Sequence, residues 1–318
     1  MKSKNIHFTK ANLRKRGIPL LISIARLLLL IGISYTILIP LFSKLALVFM
    51  SSADLTDFSV KWVPKHFTLQ NIKIVFNLMD YIPTLFKTIA FCGSMAFIQV
   101  AICTLSAYGF ARYKSRFKGI LFGVVLATLL VPPQTYIVTL YTQFQYFDIL
   151  GIIHLINGKG INVINTIWTF ILLNITGVGI RSGLYIYVEK QTFGGLPIEI
   201  EEAAKVDGAG MFRTFWSVML PNAVPTIVMC FILSFVWHWN DLLYTEYFYS
   251  KVNTLAVKFS GFSFVVSDYI GGWAMRGSTG SQHLMSVGGL FTVLPLIILF
   301  IFSQRFFVQG VERSGLVG

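Results

Sequence analysis

Apolar residues in this chain come in long, nearly unbroken runs. They lack the alternation of a half-buried strand or the one-sided stripe of a surface helix. A helix needs roughly 20 mostly apolar residues to cross a bilayer. Six stretches reach that length: 18–42 (with apolar character continuing toward residue 50), 82–110, 119–144, 163–188, 218–244 and 284–306. The first is too long for a signal-peptide core and has no small-residue cleavage site at a sensible distance, so it reads as a retained helix. Pro132-Pro133 interrupts the third run and glycines interrupt the fourth. The double proline removes backbone donors that neighbours must replace, whether as a hinge or as a static kink. Gly179 and Gly183 stand at GxxxG spacing, which favours close helix packing.

Composition agrees with a polytopic membrane protein. Hydrophobic residues make up 55% of the chain and charged residues 12%, about half the usual share of a soluble domain. That excludes a soluble globular enzyme and a disordered chain. The net charge is +13, but no aromatic-plus-basic nucleic-acid module accompanies it. In a membrane protein the excess sets orientation. Lys2, Lys4, Lys10, Arg14, Lys15, Arg16, then Arg112, Lys114, Arg116 and Lys118, then Lys190, Lys205 and Arg213, then Arg305 and Arg313 fall on one side. Lys61, Lys65, Lys73, Lys159, Lys251, Lys258 and Arg276 fall on the other. The richer side is cytoplasmic, which puts both termini there. The chain then divides into a cytoplasmic tail (1–17), a first helix with its outer loop (18–81), a five-helix core (82–306) and a second cytoplasmic tail (307–318).

Few residues suggest chemistry of their own. Cys92, Cys103 and Cys230 are odd in number, sit in apolar runs and form no C-x-x-C, so they predict neither disulfides nor a metal site. The five histidines are scattered without ligand spacing. No convergent catalytic set is visible, and no chain of buried carboxylates of the proton-coupled kind. No G-x-x-x-x-G-K-[ST] phosphate loop occurs, so the chain carries no catalytic residues and no cofactor, and any ATP and Mg belong to another subunit.

The most informative segment, LPIEIEEAAKVDGAGMFRTFWSVMLPNAVP, lies between the fourth and fifth runs. Pro197 suits the first turn of a helix. Glu199, Glu201 and Glu202 follow at its N-terminal end, where the dipole favours acid. Ala203 and Ala204 propagate the helix, and Gly208 can end it in a left-handed turn. The expected product is a short cytoplasmic helix with a small-residue face, either a connector or a docking element.

The spacing Glu202-Ala203-Ala204, Gly208, Val218 and Leu220-Pro221 resembles the EAA loop of ABC importer membrane subunits, here at 196–214, and Asp207-Gly208-Ala209 is similar to its sugar-importer form. Val218 replaces the more usual isoleucine. The resemblance covers nearly the whole chain: TLFKTIAFCGSM, AYGFARYKSRFKG, VPPQTYIVTLY, FVWHWNDLLY and RFFVQGVERSGLVG each look like family segments. The lead into the loop, 176–197, departs by being more glycine-rich and slightly longer.

The chain thus resembles the second, smaller permease of maltose-type carbohydrate importers. That implies an all-α type I ABC importer permease fold with six transmembrane helices in the bacterial cytoplasmic membrane. It implies four kinds of partner: a second homologous permease, two copies of an ABC ATPase, an extracellular or periplasmic solute-binding protein, and the lipid bilayer. Glu202 would be the charged ATPase contact, with Ala203, Ala204, Asp207, Gly208 and Ala209 completing the docking element. On the translocation path the candidates are Gln134, Tyr136, Trp239, Asn240 and Tyr244, although interfacial tryptophans also form ordinary aromatic belts. The long outer loops at 51–81 and 250–283 would face the binding protein. Arg181 is the only deep cation, so a neutral sugar is expected over an anionic solute of the glycerol-phosphate type. A secondary transporter would need internal repeats and a mid-membrane coupling site, and neither is legible.

Overall fold

The computed structural model describes residues 10–57, 59–60, 62–272 and 278–315. Of the charges used for orientation, Lys2, Lys4, Lys61 and Arg276 lie outside these residues. Among the described residues the fold is all-helical, with two isolated β-bridges, Met50 to Phe67 and Phe147 to Ile161, as the only extended pairing.

Four helices are long and apolar enough to cross a membrane. The first, α1 (Lys10–Val48), packs chiefly on the last. Its leucines and isoleucines between Leu20 and Leu38 point outward, as suits a helix solvated by lipid. The outer segment that follows is partly helical, with α2 (Ser52–Thr56) and α3 (Gln70–Leu78). The Asp54 carboxylate accepts from the His66 backbone N–H at 2.9 Å and contacts its ring at 2.8 Å, which closes the loop between them.

At the centre stands α4 (Tyr81–Arg112), which packs most extensively on the helices that begin at Ile167, Ser182 and Leu220. The third apolar run is not one helix. It splits into α5 (Lys118–Leu130) and α6 (Ile137–Gln145), joined by a 3-10 turn at Pro133–Thr135. The cause is the double proline: Val131, preceding it, is pushed to an extended conformation. After the short α7 (Ile152–Asn157), the fourth run splits too, into α8 (Ile167–Ile175) and α9 (Ser182–Gly195). Gly177 lies at φ +75° between them, and Arg181 at +61°.

The short helices α10 (Ile198–Val206) and α11 (Met211–Thr214) lead through a π turn, Phe215–Met219, into α12 (Leu220–Asn240). Pro221 and Pro225 lack the N–H groups that would close regular turns there. Beyond α12 lie α13 (Leu243–Phe248), α14 (Leu255–Ser260), α15 (Phe262–Tyr269) and the long α16 (Thr279–Gly315).

Two cores form around α4. One gathers Phe91, Phe170, Trp239, Phe248 and Phe262. The other gathers Tyr108, Tyr185, Phe193, Phe215 and Met219. The sequence reading ends the fourth run at residue 188, but α9 continues beyond it and takes Glu189 into the second core at 0% exposure, beside Thr104 and Cys230. Glu189 is thus a buried carboxyl group in this core, a position to which the sequence reading gave no role.

The two GxxxG glycines are both sites of close approach. A Cβ on Gly183 would lie 2.8 Å from Thr128 Oγ1 and from the Val125 carbonyl oxygen, where α9 meets α5. A Cβ on Gly179 would collide with Asn174 Oδ1. Gly183→Ala should therefore cost about 1–3 kcal/mol through overpacking and lower the thermal midpoint in detergent. Gly194→Ala, with open space around it, should leave the midpoint unchanged or slightly raised. Equal midpoints for the two variants would contradict the close approach.

Candidate functional site

Two constructions stand out, one at each end of α9. The first is α10. Glu199 and Glu201 lie in its first turn and Lys205 in its last, each at the end its charge favours. Its C-terminus closes in the double turn typical of a glycine cap: Gly208 N–H donates to the Lys205 carbonyl at 3.0 Å and Ala209 N–H to the Ala204 carbonyl at 2.9 Å. Gly208 holds φ +78°, which a residue with a Cβ adopts at a cost of about 1–2 kcal/mol.

The helix is clamped from one side. Arg112, at the end of α4, donates through Nη2 to the Leu196 carbonyl at 2.6 Å. Its Nε lies 3.5 Å from Glu201 Oε2, and Lys205 Nζ lies 3.2 Å from Glu201 Oε1. Glu201 and Ala204 are therefore buried on the inward face, with Glu201 beside the Tyr108 hydroxyl. Glu202, Ala203, Asp207 and Gly208 are exposed on the other face, and Ala209 is half-buried. Around them stand bare apolar side chains, among them Ile198, Val206 at 86% exposure and Phe212 at 74%. Sequence reasoning used Arg112 only as an orientation charge and Glu201 only as an acid at the helix N-terminus, and gave neither a role in the site. The only local signal was the i,i+4 spacing of Glu201 and Lys205.

The second construction lies where the two split helices face each other. A cavity of roughly 290 Å³ is lined by Pro132, Pro133, Gln134 and Tyr136 from one break, by Gly177 to Gly183 from the other, and by Tyr244. The Tyr136 and Tyr244 hydroxyls are 3.0 Å apart. Tyr244 is fixed by Asp241, whose carboxylate accepts from the Tyr244 and Thr245 backbone N–H groups at 3.1 and 2.8 Å. The exposed backbone at the breaks has partners. Gln99 Nε2 donates to the Ile180 carbonyl at 2.8 Å and to Ser182 Oγ at 2.7 Å. Its Oε1 accepts from Ser234 Oγ at 2.5 Å and lies 3.2 Å from His238 Nε2.

Of the five residues singled out for a path, the structure brings Gln134, Tyr136 and Tyr244 to this wall. Trp239 is elsewhere, 1% exposed, with its indole N–H donating to the Thr292 carbonyl at 3.1 Å. Asn240 is exposed but donates to its own helix at the Val236 carbonyl. Arg181, on the cavity wall, lies over the Trp237 ring at 4.7 Å from its centroid. Among the described residues no cluster of His, Cys, Asp or Glu could hold a metal ion.

Comparison with known proteins gives one consistent answer. The sequence model described as "Binding-protein-dependent transport system inner membrane component" matches residues 72–313. The melibiose/raffinose/stachyose import permease protein MelC of Bacillus subtilis is 25% identical over 82% of this chain and 86% of its own length. The maltodextrin transport system permease protein MdxG of the same organism is 28% identical over 92% and 93%. A bacterial ABC transporter involved in import of the acidic polysaccharide alginate contains a chain with the same fold, at TM-score 0.68 and 17% identity, over 94% of this chain and 99% of that one.

The clamp can be tested directly. Arg112→Ala should remove the hydrogen bond to the Leu196 carbonyl and leave Glu201 with Lys205 as its ion-pair partner, at a cost of about 1.5–3 kcal/mol. Trypsin should then cut faster after Lys205 in native membranes, and adding Glu201→Ala should restore part of the protection. Unchanged cleavage in the single variant would contradict the clamp.

Proposed function

The chain belongs to the family of binding-protein-dependent transport system inner membrane components, and from that premise we propose that it is one of two membrane subunits of an ATP-driven importer of sugars or oligosaccharides. It is a multi-pass membrane protein of the carbohydrate ABC permease type. In this reading the split third and fourth helices count as spans, which gives six, with both termini in the bacterial cytoplasm. A solute-binding protein delivers the sugar from outside, and two copies of a separate ATPase drive the cycle.

One observation carries the coupling role: α10 is held rigidly on its inner face by Arg112 and Glu201 while Glu202, Ala203 and Val206 are left bare on its outer face. A clamped helix with an exposed apolar and charged face suits a groove on a partner. Ala203 and Gly208 permit close backbone approach, and Glu202 supplies charge. Ala204, expected at the contact, supports the helix from within instead. From α10 the chain leads back through Leu196 and Pro197 to α9, whose 14 residues rise about 21 Å to the cavity. A shift of α10 reaches the cavity wall through that one rod. Gln134, Tyr136 and Tyr244 then line the path with hydrogen-bonding and aromatic groups, the mixture that sugar sites use. Trp239 and Asn240 serve packing and helix termination.

Co-expression with its neighbouring permease and ATPase genes, followed by affinity purification through a tag on this chain, should recover both partners in mild detergent. Glu202→Lys should lose the ATPase and abolish uptake, while insertion and pairing with the second permease persist. Recovery of the chain alone, transporting sugar without ATP, would overturn the reading.

A further inference from the structure

Arg181 occupies a position that the rest of the chain does not explain. It lies deep in the fourth apolar run, on the wall of the cavity between the two helix breaks. Its backbone is left-handed, at φ +61°, a conformation in which asparagine or glycine is the usual occupant. It caps the N-terminus of α9, the end where the helix dipole opposes a positive charge.

No carboxylate offsets these costs. The ion pairs among the described residues join Lys65 to Asp57, His66 to Asp54, Arg112 and Lys205 to Glu201, and Lys258 to Asp80. Asp241, the carboxylate on neighbouring α12, has its oxygens engaged by the Tyr244 and Thr245 N–H groups and the Thr245 hydroxyl. Among the described residues, the contact that steadies Arg181 is the face of Trp237 beneath the guanidinium. Stacking on an aromatic face leaves the in-plane N–H donors of a guanidinium free. The Arg181 side chain is exposed on the cavity wall, so those donors are open to a ligand that enters it.

We propose that this wall of the cavity binds the anionic group of a carbohydrate, the carboxylate of a uronic acid or the phosphate of a sugar phosphate. Arg181 donates a forked pair of hydrogen bonds to it. Trp237 sets the plane of the fork, and Gln134, Tyr136 and Tyr244 meet the sugar hydroxyls. The inference rests on the carbohydrate-importer reading and narrows its substrate to anionic sugars, against the neutral sugar expected from the sequence.

The test uses the complete importer in phosphatidylcholine nanodiscs, with equilibrium binding of radiolabelled trigalacturonate, glucose 6-phosphate and maltotriose. At least one anionic probe should bind tenfold or more tightly than maltotriose, and its affinity should fall as salt rises. Arg181→Gln should abolish the preference, lowering the affinity of the anionic probe by tenfold or more. Equal binding of all three probes by the unaltered complex would overturn the inference, whatever the variant does. Persistence of the preference in Arg181→Gln would overturn it as well. Loss of the preference in phosphatidylglycerol nanodiscs would do the same, by assigning Arg181 to a lipid headgroup. In each of these cases an assembled, ATP-dependent complex leaves the importer reading standing.

Discussion

The hydrogen bond from Gln99 Nε2 to the Ile180 carbonyl expresses the constraint on which the rest of this architecture depends. Lipid offers no partners for backbone groups, so a spanning segment can leave the helical path only where protein supplies the missing hydrogen bonds. This chain leaves it twice, after Val131 and after Ile175. At the first break the 3-10 turn and the Thr135 hydroxyl satisfy the Pro132 carbonyl. At the second, Thr176 back-bonds to the Leu172 carbonyl and Gln99 reaches across from α4. Because Gln99 also engages Ser182, Ser234 and His238, one buried amide ties α4, α9 and α12 together behind the cavity. Breaking that amide would strand several polar atoms at once, each costing about 1–3 kcal/mol.

The fold was legible in the sequence where the physics is local and collective. The apolar runs of α1, α4, α12 and α16 are long enough to declare themselves, and Pro197, the early glutamates and Gly208 mark α10 at both ends. The interruptions were legible as Pro132-Pro133 and as glycines, but their depth was not. A proline pair permits either a kink or a full break, and the choice falls to whatever supplies the lost hydrogen bonds. At the proline pair the turn itself and the nearby Thr135 hydroxyl supply them; at the glycine break Gln99 does, from far away along the chain. Glu189 was hidden for a related reason: its burial depends on α9 continuing past the end of the hydropathy run, into a core built by Tyr108 and Phe193.

The site was legible in outline and wrong-facing in detail. Spacing identifies Glu202, Ala203 and Ala204 as one motif beside the acid Glu201, but cannot say which glutamate points inward. Arg112 decides that, by pairing with Glu201 and bonding Leu196, and it belongs to a different helix. Likewise Trp237 and Trp239 are two residues apart and look equivalent in sequence. Burial separates them, since one carries Arg181 on its face and the other anchors α16 through Thr292. In each pair a long-range polar contact settles which neighbour faces inward.

In the proposed function α9 acts as a rigid rod joining α10 to the cavity. Spin labels at Asp207→Cys and Val178→Cys, both exposed or half-exposed positions, would report on it in the assembled importer once Cys92, Cys103 and Cys230 are replaced. Pulsed electron-spin distance measurement with and without ATP is the direct test. The account predicts one narrow distance distribution that stays in place, while the distance from Asp207 to the same site on the second permease changes. A shift of several ångströms within the chain, or a split distribution, would show that α9 bends or slips and would contradict the account.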